Sequence, residues 1–247
     1  MKNNHYILQN FQDIFLKPKR SSEVISQLIY GESFKILSKK KDWLKIETCF
    51  DNYQGFIKKD NLLKSFKPSH KIYKKYSNVY KIANGRFVKT NKFLTFASKL
   101  QILNKKRIFI EFEPNKWVKR SDLKKINHKI KDFNKIFKYF LNSSYKWGGK
   151  NYSGIDCSGL VQIFFYYNNV YCPRDTKDQI PFFKKMKNDL FKIKKKLIFW
   201  KGHVAISINN RLLIHAYGPK KKVVIMNIKK TISKIFKDTK LKPIYLI

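Results

Sequence analysis

The sequence is short of arginine and short of acid. Of its 55 basic residues only six are arginine (Arg20, Arg86, Arg107, Arg120, Arg174 and Arg211), set against 16 Asp and Glu, for a formal net charge of +39. A surface that reads phosphates uses arginine forks and clusters its charge. Here the basic residues are overwhelmingly lysines, spread over the whole length among many Asn, Ile, Phe and Tyr. An AT-rich coding sequence produces that same excess. No specific nucleic-acid partner is therefore expected, only weak polyanion binding that salt removes. Cysteines number three, Cys49, Cys157 and Cys172, with no CxxC pair and no metal-ligand spacing. That excludes a disulfide framework and a zinc cluster, and fits reduced thiols. Cys49, in the strand-like run KIETCF, reads as a small core residue, as does Cys172 beside Pro173. No apolar run approaches the roughly eighteen residues of a membrane span. The opening MKNNHYILQNFQDIF lacks a continuous apolar stretch before a small-residue cleavage site. It does not read as a secretory signal, and the expected compartment is the cytoplasm.

What is present is core material. Apolar residues make up 43% and aromatics 16% of 247 residues, enough for one large domain or two to three small ones. Residues 1–125 read as short strands, among them Ser33–Ser38, Trp43–Phe50 and Gln54–Lys58, with breaks at Gly31, Asp51–Asn52 and Pro68. A weak repeat runs through them. GFIKKDNL (Gly55–Leu62) returns as KWVKRSDL (Lys116–Leu123), which suggests two small all-β barrels, over 1–65 and 66–125. After Lys124 the period changes. Asn127 or Asp132 can cap a helix that places Ile130, Phe133, Ile136, Phe137, Phe140 and Leu141 on one face. A second helix is expected from Cys157 to Asn168, then a basic helix-like segment beyond Pro173 and strands from Leu197 onward. Helices first and antiparallel strands after make 126–247 an α+β domain.

The sharpest chemical signal is GIDCSGLV, Gly154–Val161. Glycines and Asp156 mark a turn, and Leu160, Val161, Phe164 and Phe165 mark the buried face of the following helix. Cys157 thus falls in a first helical turn, where unpaired N–H groups and the dipole favour the thiolate that attacks a carbonyl. Two histidines supply the partner. His203 opens a strand and His215 lies near the end of the next, twelve residues later. With a two-residue Asn209–Asn210 turn they face opposite sides of the hairpin. With a three-residue loop, Ile208–Asn210, they stand directly across from each other, with Cβ atoms about 4.5–5.5 Å apart. The second register makes His203 the base for Cys157 and His215 the residue that orients it.

These residues carry a resemblance. YKWGGKNYSGIDCSGLVQ (Tyr145–Gln162), CPRDTKDQ (Cys172–Gln179), LIFWKGHVAI (Leu197–Ile206) and LLIHA (Leu212–Ala216) resemble the NlpC-type cell-wall cysteine peptidases, in that family's order. The resemblance implies a papain-like peptidase domain behind two SH3-like barrels, an architecture similar to enzymes that cleave the γ-D-glutamyl–diamino acid bond of free murein peptides. It implies Cys157 as nucleophile, His203 as base, His215 as orienting residue and Tyr145 as a holder of the oxyanion. Asp156 and Ser158 match substrate-binding positions, and Asp175 and Thr176 match a block lining the substrate groove, Thr176 replacing a serine. Tyr53 matches a tyrosine of the first barrel that closes over the substrate's free amino end, where Asp156 would supply the acid for the ammonium. No metal or cofactor is implied. Lys195 and Lys196 stand where the family has a Gly-Asp turn. Two other readings remain open: a cysteine acyltransferase or amidase of the same superfamily, and a noncatalytic wall- or polyanion-binding protein.

Overall fold

The structure, a computed structural model, describes residues 4–59, 62–186 and 192–245. The chain divides into two compact units, Met1–His128 and Lys129–Ile247.

The first unit is all β. One sheet runs in the spatial order Val24–Ile29, Phe11–Phe15, Gln54–Lys58, Trp43–Thr48, Ser33–Lys40, with His5–Ile7 and Leu62–Leu63 added at its edge. A second runs Arg86–Thr95, Tyr76–Ala83, Lys116–Lys119, Phe109–Glu113, Asn104–Lys106. Leaving aside the added edge strands and counting along the chain, both sheets have the order second, first, fifth, fourth, third. The repeat seen in the sequence is therefore topological: Gln54–Lys58 and Lys116–Lys119 are the same middle strand of each sheet. Alternation builds each core, as in Trp43–Thr48, where Leu44, Ile46 and Thr48 point inward. Ile14, Leu28, Phe34, Ile46 and Ile57 pack one core. Ile72, Val79, Leu94, Ile110 and Val118 pack the other, and Tyr30, just past the strand Val24–Ile29, joins it. Gly31 follows at φ +74, and a Cβ there would lie 2.2 Å from the Lys99 carbonyl oxygen, so only glycine fits this seam.

Cys49 corrects one expectation. The strand ends at Thr48, and Cys49 lies half-buried in the turn that follows, closed by Asn52 N–H donating to the Thr48 carbonyl at 3.1 Å. Asn52 takes φ 57 there, a conformation that asparagine tolerates and a strand does not.

The second unit is α+β. Helices α1 (Phe133–Tyr139), α2 (Cys157–Tyr167), α3 (Thr176–Lys185) and α4 (Ile228–Thr239) accompany an antiparallel sheet. Its spatial order is Lys222–Asn227, Leu212–Tyr217, His203–Ser207, Leu197–Trp200, Ile244–Tyr245. Asp132 caps α1 by accepting from Asn134 N–H at 3.0 Å. α2 is more enclosed than its pattern suggested, since all its residues are buried. Phe133 and Phe137 of α1 lay their rings on Phe164, and the strands His203–Ser207 and Leu212–Tyr217 pack against the same helix. The backbone at Lys194–Lys196 makes one 3-10 turn, closed by Lys196 N–H on the Ile193 carbonyl at 2.8 Å, and delivers the strand Leu197–Trp200 despite the departure from Gly-Asp.

Candidate active site

Cys157 opens α2, and the local sequence explains why. Asp156 is the N-cap: its Oδ1 accepts from Gly159 N–H at 2.7 Å. Position 159 must be glycine, because a Cβ would meet the Gly149 carbonyl oxygen at 2.5 Å and Asp156 Oδ1 at 2.9 Å. The thiol is 4% exposed. Burial pushes it up to about 12, and the Asp156 carboxylate adds to the rise. The backbone N–H groups of Val204 and Ser158 and the Arg174 guanidinium pull the other way. Burial and Asp156 thus hold the sulfur toward the protonated thiol, while the two N–H groups and Arg174 favour the negative charge. The Val204 contact also places it against the strand that His203 opens.

His203 and His215 are hydrogen-bonded, His203 Nε2 to His215 Nδ1 at 2.9 Å. The hairpin register differs from the expected one. Ile206 pairs with Ile214 and Ser207 with Leu213, two residues away from direct opposition of the histidines. The loop is longer because Asn209 closes it, its Oδ1 accepting from Arg211 N–H at 2.9 Å and Leu212 N–H at 2.8 Å. Two residues is the side-chain period of a strand, so the histidines stay on one face as diagonal neighbours. Tyr217 stacks on His215 at 4.6 Å between centroids, and Trp200 lies 5.7 Å from His203.

Tyr145 is half-buried. Burial and the nearby charges of Cys157 and Asp156 push its hydroxyl well above the usual phenol range, so it remains a donor beside the sulfur. Asp156 has a part the sequence did not reveal. Its carboxylate is gripped by Arg174 (Nη2 to Oδ2 2.6 Å, Nη1 to Oδ1 3.0 Å) and accepts from Gly148 N–H at 2.8 Å. Arg174 also donates to Ser158 Oγ at 2.9 Å and to the Gly149 carbonyl at 3.3 Å, and its side chain is 1% exposed. Ser158 is thereby tied into the same cluster. Asp175 is the N-cap residue of α3 and Thr176 its buried first residue, directly after Arg174. Tyr53 lies in the other unit, half-buried, its N–H donating to Thr48 Oγ1 at 2.9 Å.

Sequence reasoning passed over three residues. Arg174 had a signal, being one of only six arginines and sitting in the CPRDT block. Trp147, 55% exposed in the KWGG turn, is a large aromatic left at the surface close in sequence to Tyr145. Met226 had no signal. A pocket of about 240 Å³ beside the base is lined by Tyr145, Trp200, Lys201, His203, Tyr217 and, from α4, Asp238 among others. A pocket of about 300 Å³ in the first unit, near Tyr30 and Glu113, includes none of the candidate residues. Chemistry, not size, selects the first.

Burial holds the histidines down, His203 to about 4 and His215 to about 3, the latter also opposed by its neighbour. Unfolded imidazoles titrate near 6.5. The folded state therefore binds fewer protons between those values, so this contribution is fully present above about pH 6.5 and is lost as pH falls through that window. Urea unfolding at pH 5 is expected to show the second unit weakened by on the order of 2 kcal/mol relative to pH 7. A His215→Gln variant should show a smaller difference. Equal midpoints at both pH values in the unmodified protein would contradict neutral, buried imidazoles.

Comparison with known proteins finds matches in both units. Residues 142–239 match the NlpC/P60 family, and residues 14–62 match the bacterial dipeptidyl-peptidase Sh3 domain. Dipeptidyl-peptidase 6 of Lysinibacillus sphaericus is 22% identical over 241 residues, covering 86% of this chain and 87% of that protein. The crystal structure of an NlpC/P60 family protein from Bacillus cereus superposes with a TM-score of 0.74 at 17% identity, over 91% of this chain and 94% of the other. An NlpC/P60 endopeptidase from Photobacterium damselae subsp. piscicida gives 0.62 at 12% identity, over 99% and 71%. Along the chain the SH3 match precedes the NlpC/P60 match.

Proposed function

We propose, from an NlpC/P60 peptidase domain preceded by a bacterial SH3 domain, that this protein is a cysteine endopeptidase cutting the γ-D-glutamyl–diamino acid bond of murein peptides. The observation that carries the chemistry is a buried thiol at a helix start, with a hydrogen-bonded imidazole pair on the two strands packed against that helix. The Cys157 sulfur attacks the γ-carbonyl carbon as its proton passes to His203. The oxyanion takes hydrogen bonds from the Cys157 backbone N–H and the Tyr145 hydroxyl. His203 returns the proton to the leaving amine, and water hydrolyses the thioester. Resting thiol and resting imidazole are both neutral, so proton transfer accompanies attack.

The proton donor fixes which side of the site holds the leaving group. A pocket that touches His203 but none of the α2 residues suits the leaving diamino acid, with aromatic walls for its methylenes and Asp238 for its terminal ammonium. The acyl side then belongs to Asp175 and Thr176, with Asp156 and Ser158 already engaged by Arg174. The relative's name, dipeptidyl-peptidase, fits release of L-Ala-γ-D-Glu from a free amino end. In the cytoplasm such an enzyme would recycle wall peptides and not cut intact wall.

The test is incubation with L-Ala-γ-D-Glu-diaminopimelate, reading products by mass. The expected products are the dipeptide L-Ala-γ-D-Glu and free diaminopimelate, with the N-acetylated peptide cut far more slowly. Equal rates on both would reject the requirement for a free amine, and no cleavage of either would reject the bond.

A further inference from the structure

We propose that Met226 is a positioning residue that sets the tautomer of the histidine pair and so leaves His203 Nδ1 free to act as the base. His203, His215 and Met226 form a diagonal row across three neighbouring strands, His203–Ser207, Leu212–Tyr217 and Lys222–Asn227. His215 pairs with Val224, and Met226 lies two residues on, on the same face. Among the described residues each nitrogen of His215 has one hydrogen-bond contact: Nδ1 with His203 Nε2 at 2.9 Å, and Nε2 with Met226 Sδ at 3.3 Å.

A thioether sulfur accepts and has no hydrogen to give. The proton at that contact therefore belongs to His215 Nε2. A neutral imidazole carries one N–H, and burial keeps both rings neutral at pH 7. His215 Nδ1 is then bare and can only accept, so His203 Nε2 holds the proton between the rings. His203 Nδ1 is left with its lone pair, and it has no hydrogen-bond partner among the described residues. When the Cys157 S–H bond breaks and the proton joins His203 Nδ1, the imidazolium keeps its Nε2–H on His215. Without the sulfur the chain can run in reverse. His215 Nδ1–H would then donate to His203 Nε2, and His203 Nδ1 would carry the proton and could take none from the thiol. This role for Met226 rests on His203 being the base for Cys157, while the direction of the proton chain is independent of the peptide cut.

The experiment uses ¹⁵N-labelled protein and Met226→Leu, which keeps the volume and removes the acceptor. Long-range ¹H–¹⁵N spectra at pH 7 are expected to show both rings protonated on Nε2 in the unmodified protein, and mixed tautomers in the Leu variant. Its kcat on the tripeptide should fall by on the order of tenfold with KM unchanged. Alkylation of Cys157 by iodoacetamide, followed by mass, should slow in parallel and needs no peptide substrate. Met226→Gln, which puts an amide oxygen near His215 Nε2, should restore the tautomer and most of the rate. A proton on His203 Nδ1 in the unmodified protein overturns the proposal even if Met226→Leu fails to fold. So does a Leu variant with unchanged spectra and rates. Failure to cut the tripeptide, with spectra and alkylation as expected, counts against the substrate alone.

Discussion

Replacing Cys157 by alanine is expected to remove peptide hydrolysis, a loss on the order of 10⁴-fold or more in kcat, with the fold retained. The thiol is the one group at the start of α2 that can form the acyl intermediate, and neither Ser158 nor Tyr145 is placed to replace it. Ser158 Oγ is held by Arg174 at 2.9 Å, and the Tyr145 hydroxyl is kept protonated by its burial. Removing one sulfur from a buried site should cost about 1 kcal/mol, well within what a folded domain tolerates. Cys157→Ser should be nearly as inactive, since an alcohol is a far weaker acid than a thiol and gives up its proton to His203 much less readily. The measurement is the rate of tripeptide hydrolysis by mass, beside circular dichroism of the same preparation. Near-normal turnover by the alanine variant would remove Cys157 from the mechanism.

Arg174→Met should have the largest effect on stability, a loss of about 3–5 kcal/mol from the second unit in urea unfolding. The guanidinium matches the Asp156 charge through two bonds of 2.6 and 3.0 Å, with side-chain exposures of 1% and 7%. Methionine fills much of the volume but leaves a buried carboxylate without a counter-charge. That mechanism makes a further outcome checkable. Asp156→Asn added to Arg174→Met should recover part of the loss, because the amide oxygen can still cap α2 and the stranded charge is gone. A double variant no more stable than Arg174→Met would mean the arginine acts by packing and not by charge. Activity should drop with Arg174→Met as well, since the same cluster holds Asp156 at the residue before the nucleophile.

Much of the chain could be read without a structure. The helix start at Cys157, the strands Gln54–Lys58 and Leu197–Trp200 and the equivalence of Gln54–Lys58 with Lys116–Lys119 were legible because each depends on neighbouring residues. A cap lies one residue from its helix, glycines lie where the backbone comes close, and alternation has a period of two. Such signals are short-range, and short-range preferences are written in consecutive letters. The same holds for the Cys49 error in reverse, since the turn signal Asp51–Asn52 was visible and its reach back to Thr48 was not.

What tertiary structure alone decided lies at longer range. Nothing in the spacing of His203 and His215 reveals that Asn209 folds onto Arg211 and Leu212 and shifts the register by two residues. The expected single face survived only because two equals the strand period. Arg174 reaches Asp156 across 18 residues, and no local pattern distinguishes an acid that waits for a substrate from one already paired. Met226 sits on a third strand, where a thioether looks like any core side chain until its sulfur is found 3.3 Å from His215 Nε2. Sequence by itself determined which groups are present and which start a helix or a strand. Their protonation, partners and direction of hydrogen bonding were decided by burial and by contacts between distant strands, because those energies arise only once water has been excluded from between them.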